Sequence, residues 1–167
     1  MHVARRDGCR TSIDGNVIDF NQGVGVQIGN TGSSDAGTRH KSLLSNSIYL
    51  NGSPVPVAGI QISNGANEGV AAPKLPLTPL ASSSALLVTL MIHETTPGPY
   101  QVQVFASGNC SAQGQGQTLV GPTQTETRNG TFLLKLGPAP AGQKSITATV
   151  TDANHNTSAF SNCMAAK

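Results

Sequence analysis

SNSIYLNGSPVPVAGIQI, residues 45–62, repeats in outline what GNVIDFNQGVGVQI, residues 15–28, has already spelled. The two stretches match at Asn16/Asn46, Ile18/Ile48, Phe20/Leu50 and Asn21/Asn51 with a separation of 30 residues, and at Gly25/Gly59, Val26/Ile60 and Ile28/Ile62 with a separation of 34. The extra residues fall within 52–58, where a loop absorbs them. Apolar residues alternate inside each half-match, and Asn or Gly stands at the corners. A period of two repeated at this longer interval describes stacked β-coils, not a helix. In such a coil Ile18, Phe20, Val26 and Ile28 are expected to face a narrow interior and stack on Ile48, Leu50, Ile60 and Ile62. Asparagines at equivalent turns are expected to form side-chain ladders and to accommodate left-handed backbone.

Composition points the same way. Of 167 residues only 11% are charged and 4% aromatic, while the 37% hydrophobic content suffices for a core. This mix suits all-β structure with many turns. A net charge of +2 is too small to argue for nucleic acid or an anionic membrane. Arg5, Arg6 and Arg10 cluster without interleaved aromatics and read as a solvated end. No run approaches the ~20 apolar residues needed to span a bilayer, so no membrane insertion is expected. The chain lacks a charged-then-apolar secretion signal. The scarcity of charge nevertheless reads as extracellular, so Met1 is expected not to be the natural beginning of the protein. Cys9, Cys110 and Cys163 make an odd count. Cys110 and Cys163 each lie just beyond an expected strand and are therefore paired, leaving Cys9 free or bonded elsewhere. Closing a loop of about 50 residues constrains the unfolded chain by roughly 4 kcal/mol. Zinc is disfavoured, because there is no C-x-x-C and the histidines are scattered.

Between the two coils, residues 29–41 form a polar loop in which Asp35, Arg39 and His40 are candidates for a site; a solvated excursion is the preferred reading. PKLPLTP, residues 73–79, forces extended backbone and marks a semi-rigid junction. This divides the chain into residues 1–72, the 73–79 junction and residues 80–167. In the last part Leu86, Val88, Leu90 and Ile92 alternate with outward residues. Tyr100, Val102, Val104 and Ala106 share one face opposite Gln101 and Gln103. Short strands over 118–121 and 123–128 are broken by Pro122. Asn129-Gly130 reads as a hairpin dipeptide. Phe132, Leu134 and Leu136 continue the core face, and Ile146, Ala148 and Val150 alternate with threonines. Some seven short strands with turns between them describe an Ig-like antiparallel β-sandwich.

With both parts in view, the chain resembles the C-terminal region of bacterial right-handed parallel β-helix repeat proteins. The matching residues are Asn46-Ser47-Ile48-Tyr49-Leu50-Asn51, Gly59-Ile60-Gln61-Ile62, Pro73-Lys74-Leu75, Tyr100 to Ala106, Cys110, Ile146 to Asp152 and Asn156 to Cys163. The resemblance spans about residues 14–163. It implies a secreted or surface location, right-handed coils running into a terminal Ig-like domain, and no catalytic residues to carry over. Two coils are fewer than the roughly three repeats a solenoid normally needs. The expected partners are therefore upstream coils of a longer chain, together with a cell-surface glycan or protein.

Candidate chemistry is sparse. Asp14 and Asp19 are the available carboxylates on the first coil, but Ser45 and Tyr49 stand near the equivalent places on the second. No acidic ladder forms, so the reading leans away from an enzyme. Asp152, Asn154 and Asn156 space oxygen ligands as the start of a Ca²⁺ loop does, without its glycine or closing acid. A plain Asx turn is preferred to a weak Ca²⁺ site, and no other cofactor is expected. Tyr49 is the one aromatic whose alternation points it out of the coil, which makes it the candidate glycan contact. A single tyrosine is a poor platform for a sugar face. Asn51, Asn109, Asn129 and Asn156 open N-x-S/T triplets that read as incidental. The expected function is a non-catalytic structural and interaction module that caps a solenoid, with adhesion or assembly as a further role. A piece of a polysaccharide-binding or polysaccharide-degrading β-helix protein is the alternative.

Overall fold

The computed structural model describes residues 2–3 (backbone only), 10–30, 32, 34–52, 54–55, 57–94, 98–110, 113–127 and 129–167. The expectations for Arg5, Arg6 and Cys9 lie outside these residues. The chain is all-β. Its first part contains β1 (His2–Val3), β2 (Thr11–Asp14), β3 (Val17–Asp19), β4 (Val26–Ile28), β5 (Lys41–Leu44), β6 (Ser47–Tyr49) and β7 (Ile60–Ile62). A 3-10 turn at Ala66–Gly69 follows, and then β8 (Leu80–Ala81), β9 (Leu86–Ile92), β10 (Tyr100–Ser107), β11 (Thr118–Leu119), β12 (Gln124–Glu126), β13 (Gly130–Leu136), β14 (Ser145–Thr151) and β15 (Met164–Ala165).

The repeat seen in the sequence is the register of three parallel ladders. β2 pairs with β5 and β3 with β6 at an offset of 30, as in Ile13↔Leu43 and Ile18↔Ile48. β4 pairs with β7 at an offset of 34, as in Ile28↔Ile62, and β1 adds a parallel strand to the other edge of β4. Ile13, Val26, Ile28, Leu43, Ile48 and Ile60 are buried together.

Asparagine ladders hold the corners in line. Asn16 Nδ2 donates to Asn46 Oδ1 at 3.2 Å, and Asn21 Nδ2 to Asn51 Oδ1 at 2.8 Å. The left-handed backbone falls on the residue before each asparagine: Gly15 (φ 67°), Ser45 (57°), Phe20 (52°) and Leu50 (51°). This overturns the expectation that Phe20 and Leu50 stack inside. The corner turns each of them outward, leaving Phe20 71% and Leu50 53% exposed. Glycine within the parallel part answers a lack of space. A Cβ on Gly25 would stand 2.6 Å from Ile48 Cγ2 and 2.7 Å from the Gly59 carbonyl oxygen.

The second part is two antiparallel sheets on a common core. One runs β13-β9-β8; the other runs β11-β10-β14-β15, with β12 also on β10. Leu86, Val88, Leu90, Ile92, Tyr100, Val102, Val104, Ile146, Ala148 and Val150 fill the space between them, with Leu134, Leu136 and half-buried Phe132. Asn129-Gly130 is not a hairpin. β12 belongs to one sheet and β13 to the other, so the dipeptide turns the chain from sheet to sheet. Asn129 Oδ1 accepts from Glu94 N at 2.8 Å to hold that corner. Cys110 and Cys163 form a disulfide with a Cα–Cα distance of 5.5 Å.

Every residue of β14 is buried, so both of its faces are covered. Ile146, Ala148 and Val150 meet the facing sheet. Thr147 Oγ1 donates to the Gln115 carbonyl at 2.9 Å, and the Thr151 and Thr157 hydroxyls lie 2.6 Å apart. Phe105 and Phe160 do not join the core between the antiparallel sheets. They meet edge to face, with centroids 5.4 Å apart, and close the core of the parallel part. Residues 158–161 lie along β14 without regular strand geometry. Ser158 N and Ser161 N donate to Val150 O and Ala148 O, each at 2.8 Å. In return the Ser158 and Ser161 hydroxyls accept from Val150 N (3.1 Å) and Ala148 N (2.9 Å), replacing the carbonyls a true strand would offer. The 73–79 segment lies against the antiparallel part. Pro73, Leu75 and Pro79 are buried while Leu77 is exposed, and Lys74 and Met91 exchange backbone bonds of 2.8 and 2.9 Å.

Candidate functional site

The residues proposed from sequence scatter. Asp14 sits at the end of β2, where Ser12 Oγ donates to its carboxylate at 2.6 Å. Asp19 sits at the end of β3, opposite Tyr49. Asp35 is buried and accepts from Thr38 Oγ1 at 2.8 Å, pinning its own loop. His40 Nδ1 donates to the Asn154 carbonyl at 2.7 Å, and Arg39 is exposed.

The Asp152 turn is closed by its own groups. Asp152 Oδ1 accepts from Asn154 N and Asn156 N, each at 2.9 Å, and Oδ2 accepts from Asn156 Nδ2 at 3.1 Å. Glu68 Oε2 takes a bond from Asn156 Nδ2 at 2.8 Å and one from Asn154 Nδ2 at 3.2 Å. Asn156 Oδ1 accepts from His40 N at 2.7 Å, so the turn also ties the two parts of the chain together. The bonds from Asn154 N and Asn156 N to Asp152 Oδ1 are those of an Asx turn, and those to Glu68 and His40 are long-range ties to the first part of the chain. Among the described residues, no three His, Cys, Asp or Glu side chains gather as metal ligands do.

Tyr49 is where several features converge. It ends β6, and its hydroxyl donates to the Asp19 carboxylate, its partner across the ladder. That bond comes first, with burial and the negative charge adding to it, in raising the Tyr49 pKa above 10.0. Beside it stands Phe20, edge-on, with ring centroids 6.5 Å apart and planes at 63°. The sequence reading missed Phe20 because alternation carried on from Ile18 places it inside. The asparagine immediately after it was the available signal that the strand ends at Asp19.

On the other side of Tyr49 a cavity of about 410 Å³ opens between the parallel part and the loop after β10. Tyr49, Leu50 and Gly52 form one wall, and Ser107, Asn109 and Gln117 stand on the other. None of its lining residues is charged. Gln115 holds the walls together: its Nε2 donates to the carbonyls of Asn51 (3.0 Å) and Val57 (2.8 Å), and its Oε1 accepts from Asn51 N at 3.0 Å. Asn109 and Gln117 could not be placed here from sequence, because tertiary bonds of Gln115, Gly114 and Gly116 bring this loop to the parallel part. No helix among the described residues is long and apolar enough to cross a membrane. Comparison with protein-family models finds none that matches the chain, and comparison with curated proteins finds none either.

Proposed function

We propose that the chain is the C-terminal end of a right-handed parallel β-helix, of the kind found in bacterial β-helix repeat proteins. An Ig-like β-sandwich caps it, and the whole belongs to an exported or cell-surface protein. Residues 1–72 supply the coils, 73–79 the junction and 80–167 the cap. The module is structural and interactive, not catalytic. One observation carries this reading: segments of the antiparallel part bond to the later edge at all three parallel ladders. Ile48 and Gly116 exchange two backbone bonds of 2.7 Å, Gly59 N donates to Gly114 O at 2.9 Å, and Thr157 N donates to Lys41 O at 3.1 Å. Leu43 N adds a bond to Thr157 Oγ1 at 2.9 Å. An open strand edge is a template for unwanted pairing, so closing it is the physical task of a cap.

The opposite edge supports upstream coils as the partner. Among the described residues β2 and β3 each pair with one strand only, and a hollow of about 570 Å³ runs along Ile13, Asn16 and Ile18. Val17 beside it is 67% exposed. The disulfide supports an oxidising compartment. Duplicating residues 11–40 between Arg10 and Thr11 tests the reading. The added copy should dock in parallel, raise the melting temperature and show protected amides. An added copy whose amides exchange at unprotected rates would overturn it.

A further inference from the structure

We propose that β13 joins two copies of this chain, edge to edge and antiparallel about Leu133, so that their β13-β9-β8 sheets run on as one. This goes beyond the capping role and does not depend on it.

Of the long strands β9, β10, β13 and β14, only β13 keeps an open edge among the described residues. β9 is paired on one side by β13 and on the other by β8 and Lys74. β10 lies between β14 and the pair β11 and β12. β14 is closed beyond β10 by β15 and by residues 157–161. β8 in turn bonds to the end of the chain: Ala81 N donates to Lys167 O at 2.7 Å, and Lys167 N to Pro79 O at 3.0 Å. β13 pairs with β9 alone, in unbroken register from Gly130↔Ile92 to Leu136↔Leu86. About half of its backbone N–H and C=O groups therefore face away from β9, a template for another strand. Neither proline nor bulge interrupts it, and its central residue, Leu133, is 69% exposed.

The strand is its own complement. A twofold at Leu133 sets Phe132 opposite Leu134 of the second copy, Thr131 opposite Lys135, and Leu133 opposite itself. Lys135 is the only charge on β13, and a lysine is a common means of blunting an edge. In this register it meets a threonine. The two lysines then stand about 14 Å apart, beyond the roughly 8 Å over which exposed charges interact at physiological salt. On the outer face Leu133 lies opposite Thr89 and diagonal to half-buried Leu87 and Met91, so the twofold doubles an apolar strip and buries no charge.

An upstream coil fits this edge poorly. Strands of the parallel part have at most four residues, whereas β13 has seven and finds its equal in its own copy. One strand pair falls at the small end of specific interfaces, so the dimer should be weak, with a Kd of about 10–500 μM.

Sedimentation of the intact chain from about 5 μM to about 1 mM tests the proposal. Leu133→Lys sets like charges face to face at an exposed position. It should shift the equilibrium at least about tenfold towards monomer, with the melting temperature of the dilute chain unchanged. Thr131→Glu brings a carboxylate opposite Lys135 of the second copy. It should tighten the dimer about two- to tenfold, a gain that added salt removes. Amides of β13 should gain protection from exchange as concentration rises. The proposal is overturned if the chain stays monomeric at about 1 mM, if the dimer withstands Leu133→Lys, or if Thr131→Glu and Thr131→Lys weaken it alike. Loss of the dimer in Val17→Lys but not in Leu133→Lys would assign the contact to the open edge of β3 and overturn it as well.

Discussion

Asn51 is 2% exposed, and its side-chain amide makes four hydrogen bonds. Oδ1 accepts from Asn21 N and Nδ2, while Nδ2 donates to the carbonyls of Ile18 (3.0 Å) and Tyr49 (3.1 Å). Truncation strands several buried backbone groups at once. Asn51→Ala should therefore destabilise by about 2–3 kcal/mol in urea unfolding, whereas Asn21→Ala, at a half-buried residue, should cost less than about 1 kcal/mol. Equal losses at the two positions would contradict this account of the ladder. Tyr49 provides a pH test. Its pKa is raised in the folded chain, so the bond to Asp19 contributes fully below pH 10.0 and is lost as pH rises through the folded-state value. Tyr100 is also raised, first by burial. Following phenolate absorbance, Asp19→Ala should bring one of the two tyrosine titrations down towards 10.0 and leave the other in place.

The loop carrying Gly114 to Gln117 pairs with Ile48 outside any named strand and is tightly packed. A Cβ on Gly116 would stand 2.6 Å from Phe105 Cγ and 2.8 Å from Phe160 Cε1, so only glycine lets this segment pair with Ile48 over the two rings. Gly116→Ala should cost about 1–3 kcal/mol by overpacking. Gly137→Ala, where nothing lies within 4 Å, should be near neutral. Comparing the two melting temperatures separates a close-packing role from a general loss of flexibility. The same reasoning applies to residues 158–161, where serine hydroxyls stand in for strand carbonyls. The pattern S-x-x-S is legible in the sequence; that it completes a sheet edge is not, because the bonds depend on β14 lying alongside.

For the whole molecule, two cores share one sheet. β10 and β14 face the antiparallel core on one side and, through Gln103, Phe105, Thr147 and Thr151, the parallel part on the other. The Cys110–Cys163 bond closes a separation of 53 residues at this junction. Replacing both cysteines by serine should lower stability by up to about 4 kcal/mol in the chain-entropy account. The loss should match that produced by a reductant on the unsubstituted chain. No change in the urea midpoint in either experiment would refute a stabilising role.

The periods in the sequence determined much of this. The two-residue alternation and the 30- and 34-residue offsets specify parallel pairing and its register, because slipping one residue would turn each strand inside out. Matched asparagines specify the ladders, and the cysteine positions specify the disulfide. Alternation states which residues share a side, but not where a strand ends or which side finds water. For that reason Phe20 and Leu50 emerge outside, Phe105 and Phe160 enter the parallel core, and Asn129-Gly130 crosses between sheets. The cavity beside Tyr49 forms where Gln115, Gly114 and Gly116 bond to Asn51, Val57, Gly59 and Ile48 far earlier in the chain. Such contacts leave no period behind them; the packing of the two parts decides them.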